Sequence, residues 1–351
     1  MTDIFKKQVT PPIFQVNVSR TYQRLQTRSL VQHLRTVNFD PHIQPLRPSH
    51  SFTLTIPKRV RECQKGGANL HIPILWDDGV KWLIRIKLHW TVAFGEVQQG
   101  IRQLVLESER ETMILLKKSR LAVPEVYGPV FSAYLLVSPA VLTARSQPSR
   151  GESHTESAVS DGIEFIVVEY IDGTPCSRPI HKSLGVDPLD RLIHQFAQFQ
   201  IKLTALTFHS LGSLYPASSY SGSGPHSISG SSHSASARAM VGPSISLRFI
   251  KPDLPSFLGP FTTAGERYLA NIELMLHKLE GGDVSLGHPA LVYLVHLWYR
   301  EIVTSMSILW EMEEITIRHA DDQGDHILSD PEGNLRGVID WEWSVRTPPH
   351  Q

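Results

Sequence analysis

The densest chemistry in the chain runs from Arg318 to Leu328, Arg-His-Ala-Asp-Asp-Gln-Gly-Asp-His-Ile-Leu. His319, Asp321, Asp322, Asp325 and His326 fall within eight positions, and a second acidic stretch, Ile339-Asp340-Trp341-Glu342, follows. Between them lie HILSD, a Pro331-Glu332-Gly333-Asn334 turn and LRGVI, the pattern of a β-hairpin. Acidic side chains that bracket a hairpin can converge at its base. Phosphoryl transfer from a nucleotide uses such a set: one carboxylate receives or orients the acceptor hydroxyl, and others hold Mg²⁺ against the phosphates. The same donors could be read as a two-metal hydrolase cluster. Their spacing differs from an H-x-H-x-D-H arrangement, and that reading leaves the upstream pattern unexplained.

The elements that must position these groups are legible upstream. SFTLTI, from Ser51, alternates, as does NLHIPILW with Leu70, Ile72, Ile74 and Trp76. Asp77-Asp78-Gly79 then makes a turn into VKWLIRIKL, so residues 69–88 read as a hairpin. A KGGAN segment at 65–69 precedes it. Leu104–Ser119 reads as a helix with Met113, Leu115 and Leu116 in its core stripe, ended by Pro124. GIEFIVVEYIDG, 162–173, reads as a buried strand that stops at Asp172-Gly173. The first 50 residues, with Pro11, Pro12, Pro41, Pro45 and Pro48, read as an irregular arm with one short helix from Tyr22 to Val37.

The second half is mainly helical. Leu189, Leu192, Ile193, Phe196, Phe199, Leu203 and Leu206 make one apolar face, and helical patterns recur at 264–279 and 291–312. Residues 138–160 and the Ser/Gly/His tract 216–240 read as loops that cannot bury a core. Two histidines of that tract, His226 and His233, belong to the loop rather than to a metal site.

Composition sets the outer bounds. Of 351 residues, 34 are Lys or Arg and 34 are Asp or Glu, a balance that argues against a nucleic-acid binder working by bulk charge. No apolar run is long enough for a membrane helix, and the N-terminus has no signal-peptide core. Two distant cysteines, Cys63 and Cys176, exclude a disulfide framework and a four-cysteine zinc site. The expectation is a soluble cytoplasmic protein with neither a nucleic-acid nor a membrane partner.

His319-Ala-Asp321 with His326 five residues beyond the aspartate resembles the catalytic loop of aminoglycoside phosphotransferases, and Ile339-Asp340-Trp341-Glu342 resembles that family's second metal-binding segment. The upstream pieces come in the family's order. GGANLHIPILWDDGVKWLIRI resembles its nucleotide-loop hairpin, and LLKKSRLAVPEVYG the end of the helix that follows. FIVVEYIDGTP resembles its hinge strand, and GGANLHIPI and HADDQGDHIL are closest to its fungal branch. The resemblance spans about residues 50–347. It implies an α+β, protein-kinase-like bilobal fold with an N-lobe at 51–172 and a helical C-lobe at 173–351.

The family resemblance also implies the chemistry. A nucleotide, ATP or GTP, would give its γ-phosphate to a hydroxyl of a small acceptor with Mg²⁺ as cofactor. Asp321 would be the catalytic base and His319 would orient the loop. His326 and Asp340 would hold the metal, although the family has Asn where this chain has His326. Gly66, Gly67 and Asn69 would approach the phosphates. Arg85, standing where the family has lysine, would pair with them and with Glu109. Backbone groups of Glu169, Tyr170 and Ile171 would face the adenine. The family continues with further C-lobe helices, so the resemblance also implies a truncated C-lobe. That, with Arg85 and His326, leaves open a non-catalytic nucleotide-binding or scaffold protein on the same fold.

Overall fold

The computed structural model describes residues 31, 34–56, 64–65, 69–88, 90–91, 95–96, 99–133, 163–176, 184–216, 239–245, 258–282, 288–311, 314–319, 324–343 and 345–347. The helices are α1 (Asp40–Ile43), α2 (Gln99–Lys118), α3 (Val186–Thr204), α4 (Ala264–Glu280) and α5 (Pro289–Ser305). The first strands are β1 (Phe52–Leu54), β2 (Gln64–Lys65), β3 (Asn69–Trp76), β4 (Lys81–Lys87), β5 (Trp90–Thr91), β6 (Gly95–Glu96), β7 (Val126–Ala133) and β8 (Ile163–Glu169). The later ones are β9 (Thr174–Pro175), β10 (Thr207–Phe208), β11 (Ser213–Pro216), β12 (Ala239–Gly242), β13 (Ile315–Arg318), β14 (Ile327–Ser329), β15 (Leu335–Val338) and β16 (Val345–Thr347). The expected α+β class holds: an antiparallel sheet early in the chain, then mainly helices. No helix among the described residues is long and apolar enough to cross a membrane.

The chain divides into two compact units, Met1–Gln103 with Tyr127–Tyr170, and Leu104–Val126 with Ile171–Gln351. In the first unit the strand order is β1-β3-β4-β8-β7, with β2 also on β3. Alternation explains its layering. Leu70, Ile72, Ile74 and Trp76 share one face with Trp82, Ile84, Ile86, Phe165 and Val167. Leu34, Val37, Phe39 and Ile43 pack against that face, so the end of the expected irregular arm belongs to the core. The expected helix 22–37 lies largely outside the described residues. The DDG turn is closed by Gly79, at φ +85°. Asp77 accepts from the Ser51 amide at 2.9 Å and from the Ser51 hydroxyl at 2.9 Å, and meets His50 Nδ1 at 2.8 Å. Arg47 forks onto Asp78 at 2.7 and 3.2 Å. His50, Asp77 and Asp78 are the one trio of metal-capable side chains grouped among the described residues, and these bonds already account for it.

Helix α2 begins five residues before the expected Leu104 and ends at Lys118, one residue short of the expected Ser119. Arg120, at φ +58°, turns the chain, and the Leu121 amide reaches back to the Leu116 carbonyl at 3.1 Å. That i to i−5 bond closes the helix end in the manner usually built on glycine.

In the second unit α3 buries Leu192, Phe199 and Leu203, and α4 packs on α5 through Ile272, Leu276 and Val303. The helix expected at 291–312 ends at Ser305 and gives way to a 3₁₀ turn at Ser307–Trp310. Pro216 and Ala239 are ladder partners in β11–β12, so the ends of the expected loop 216–240 are strands. The expected loop 138–160 and residues 217–238 lie outside the described residues.

Candidate active site

The hairpin β14–β15 is short, and its register pairs Ile327 with Val338. The ladder continues one step past the strands, because the Ile339 amide donates to the His326 carbonyl at 2.9 Å. His326 and Asp340 therefore stand at the open end of one hairpin. His319 joins them from the end of β13. Its Nε2 meets the Ile339 carbonyl at 2.9 Å, and its ring stacks on that of His326 with centroids 4.0 Å apart and planes 15° apart. A carbonyl only accepts, so Nε2 carries a proton and donates it. His319 Nδ1 is buried with no hydrogen-bond partner among the described residues.

Trp341 backs this cluster. It is fully buried, donates from Nε1 to the Val338 carbonyl at 2.9 Å, and meets the His319 ring edge-on at 4.9 Å. Asp340, half-buried, has φ +68°, a left-handed conformation that few residues other than Gly, Asn and Asp adopt readily. Asp325 is exposed. Asp321, the expected base, and Asp322 lie outside the described residues.

Neighbouring segments hold the hairpin. Strand β9 pairs with β14, the Cys176 amide donates to the Ile327 carbonyl at 2.8 Å, and the Val338 amide to the Ala122 carbonyl at 2.8 Å. Gln195 Oε1 on α3 accepts from the Leu335 amide at 2.8 Å. In the turn, Asp330 accepts from the Asn334 amide at 2.7 Å and from its side chain at 2.9 Å, which hold the carboxylate below its usual range.

In the first unit the polar face of the sheet carries the other expected group. Arg85 lies directly across from His71, and its Nη1 is 3.2 Å from His71 Nε2. Asn69 and Lys87 form the next pair on the same face and are buried with Arg85. Arg102, in the first turn of α2, donates from Nε to Glu164 Oε2 on β8 at 2.6 Å, both side chains nearly fully buried. The Tyr170 amide donates to the Lys81 carbonyl at 3.3 Å, which ends the β4–β8 ladder at the expected hinge; Glu169 and Ile171 flank it, half-buried. Gly66 and Gly67 lie outside the described residues. Glu109, on α2, is buried and belongs to the second unit. Nearby Glu111 is pushed up by burial, against the pull of Arg110 and Lys118.

Sequence reading missed His71, the Arg102–Glu164 pair and Trp341. A signal existed for His71 alone: counting back through the DDG turn places it opposite Arg85.

No protein-family model matches the chain. No curated protein matches it either. Among solved structures, it is similar to aminoglycoside phosphotransferase APH(4)-Ia, at 12% identity and TM-score 0.46, over 88% of this chain and 72% of that one. It is similar to the GDP complex of wild-type aminoglycoside 2'-phosphotransferase-IIIa, at 14% identity and TM-score 0.42, over 89% and 74%. A third is ADP-bound aminoglycoside phosphotransferase APH(2'')-Ib, at 14% identity and TM-score 0.43, over 88% and 71%.

Proposed function

We propose that this chain is a phosphotransferase on a protein-kinase-like fold, moving the γ-phosphate of ATP or GTP onto a hydroxyl of a small molecule. The observation that carries the reading is the base of the β14–β15 hairpin. There His319, His326 and the Ile339 backbone are joined by hydrogen bonds and ring stacking, in the chain order of the catalytic loop and metal segment that the sequence resembles. In this reading Asp321 orients the acceptor hydroxyl and takes its proton as the bond to phosphorus forms. His319, buried and bonded to the Ile339 carbonyl, holds the catalytic loop against the metal segment rather than moving a proton.

Mg²⁺ would neutralise charge on the phosphates when bound. Asp340 suits that hard cation. His326 suits it poorly, being a softer imidazole buried face to face on His319. We therefore place the metal on Asp340 with Asp325 or Asp322, and give His326 to the packing of the hairpin base. In this reading Arg85 grips the phosphates, with Gly66, Gly67 and Asn69 at the phosphate loop and the 169–171 backbone at the base.

Phosphate transfer from labelled ATP and GTP, with wild type and Asp321→Ala, tests this. The expected result is transfer by wild type and a loss of at least about a hundredfold in the variant, the span of one general base. Equal rates would overturn the assignment. The packed His326 favours a second reading, nucleotide binding without turnover, which predicts Mg²⁺-dependent binding and no transfer by either protein.

A further inference from the structure

Arg85 stands at a position where the resemblance puts lysine, and the difference has a structural consequence. An ammonium is a compact charge that binds from many directions, whereas a guanidinium binds phosphate well only when its plane points the right way. Something must set that plane. His71 lies directly opposite Arg85 across β3 and β4, on the same face, with Nε2 3.2 Å from Nη1. Arginine has no acceptor, so the imidazole must accept at Nε2 and carry its own proton on Nδ1. We propose that His71 is the positioning residue for Arg85, its neutral ring fixing the direction in which the guanidinium fork points. This rests on the nucleotide reading of Arg85.

The surroundings fit a neutral acceptor there. Among the described residues of this sheet face, Arg85 and Lys87 from β4, Glu164 from β8 and Arg102 from α2 are charged, and the residue paired with His71 on β2 is Gln64. Glu164 meets Arg102 at 2.6 Å, and the His71 imidazole lies 3.2 Å from the Arg85 fork. A neutral ring orients the guanidinium without cancelling its charge. The device is sensitive to acid. An imidazolium cannot accept, and it would set a cation beside a cation.

The test is binding of Mg·ATP and Mg·GTP to the full chain, by calorimetry between about pH 5.5 and 7.5, on either side of the usual histidine pKa. Three proteins are compared: wild type, His71→Gln, whose amide oxygen keeps an acceptor near the Nε2 position, and His71→Phe, which keeps the ring and removes the acceptor. At the upper pH His71→Phe should bind about tenfold more weakly, the effect of one charge-assisted hydrogen bond, and His71→Gln within about twofold of wild type. Acidification should weaken wild type about tenfold more than His71→Gln, the ionisation of the nucleotide being common to both. Wild-type affinity in His71→Phe, or parallel pH profiles for wild type and His71→Gln, would overturn the role of His71. Should His71→Phe fail to fold, the two pH profiles decide alone. A folded wild type that binds neither nucleotide would overturn the nucleotide reading itself, an outcome distinct from nucleotide binding that ignores His71.

Discussion

Two hairpins carry the groups discussed above at their open ends, and they are built differently. The first, β3–β4, pairs seven residues of each strand and buries an alternating apolar face. The second, β14–β15, has strands of three and four residues, with a register shift between Leu328 and Ser329. It borrows its stability from β9, Gln195 and Ala122. The first lies inside a sheet, between β1 and β8, over an apolar core; the second leans on a few contacts from β9, Gln195 and Ala122. On the second, the position of His326 and Asp340 depends on contacts far away in sequence.

The two turn glycines separate these cases most sharply. Gly79 has φ +85° and open space where a Cβ would go. Gly333 has φ +79°, and a Cβ there would lie 1.9 Å from the Pro188 carbonyl oxygen. Gly333→Ala should cost about 3 kcal/mol, the sum of backbone strain and an overpacked contact with main chain that cannot swing away. Gly79→Ala should cost about 1 kcal/mol, the backbone term alone. Urea unfolding of both variants measures this. Equal costs would mean that the second turn yields as freely as the first.

A smaller effect tests the borrowed support. Gln195→Ala removes the acceptor of the Leu335 amide. About 1 kcal/mol of stability should go with it, the net contribution of one intramolecular hydrogen bond. Amide exchange at Leu335 and Val338 should rise while exchange at Ile84 and Ile86 stays unchanged. A uniform rise across both hairpins would show that they open as one unit.

The same contrast governs what could be read from the sequence. The first hairpin was legible because alternation and a DDG turn are local signals, and its register follows from them. The second was legible as a hairpin from its PEGN turn, and its spacing placed His326 near Asp340. Its supports were not legible: Gln195 and Leu335 are 140 residues apart. The start of α2 was missed because Gly100 and the charged Arg102 interrupt its apolar stripe, and Arg102 is buried only because Glu164, 62 residues on, receives it. Its end, expected at Ser119, falls at Lys118, where Arg120 turns the chain in a conformation usually left to glycine. Strand β13, which delivers His319, has four residues and no turn signal before it.

Acid should loosen both turns, and this is the smallest of the expected effects. Asp77 is held well below the usual carboxylate range by the Ser51 amide, with His50 and the Ser51 hydroxyl adding to it. Asp330 is lowered by the Asn334 side chain first and the Asn334 amide after it. A carboxylate whose folded pKa is depressed contributes stability that is present above its unfolded value, about 3.9, and is lost as pH falls through the folded one. The native state should therefore lose stability below about pH 4, where the unfolded chain takes up protons that the folded turns refuse. Asp77→Asn and Asp330→Asn each remove one such group. The urea midpoint of either variant should fall less between about pH 5 and pH 2 than that of wild type. Because both aspartates lie at the surface, salt and solvent screen the charged contacts, and the hydrogen bonds from neutral donors carry most of what remains. The two variants should then differ in place rather than in size: Asp77→Asn flattens the acid response of amide protection in β3–β4, and Asp330→Asn does so in β14–β15. A pH response that neither variant changes would assign the acid sensitivity to other carboxylates and leave the two turns equivalent.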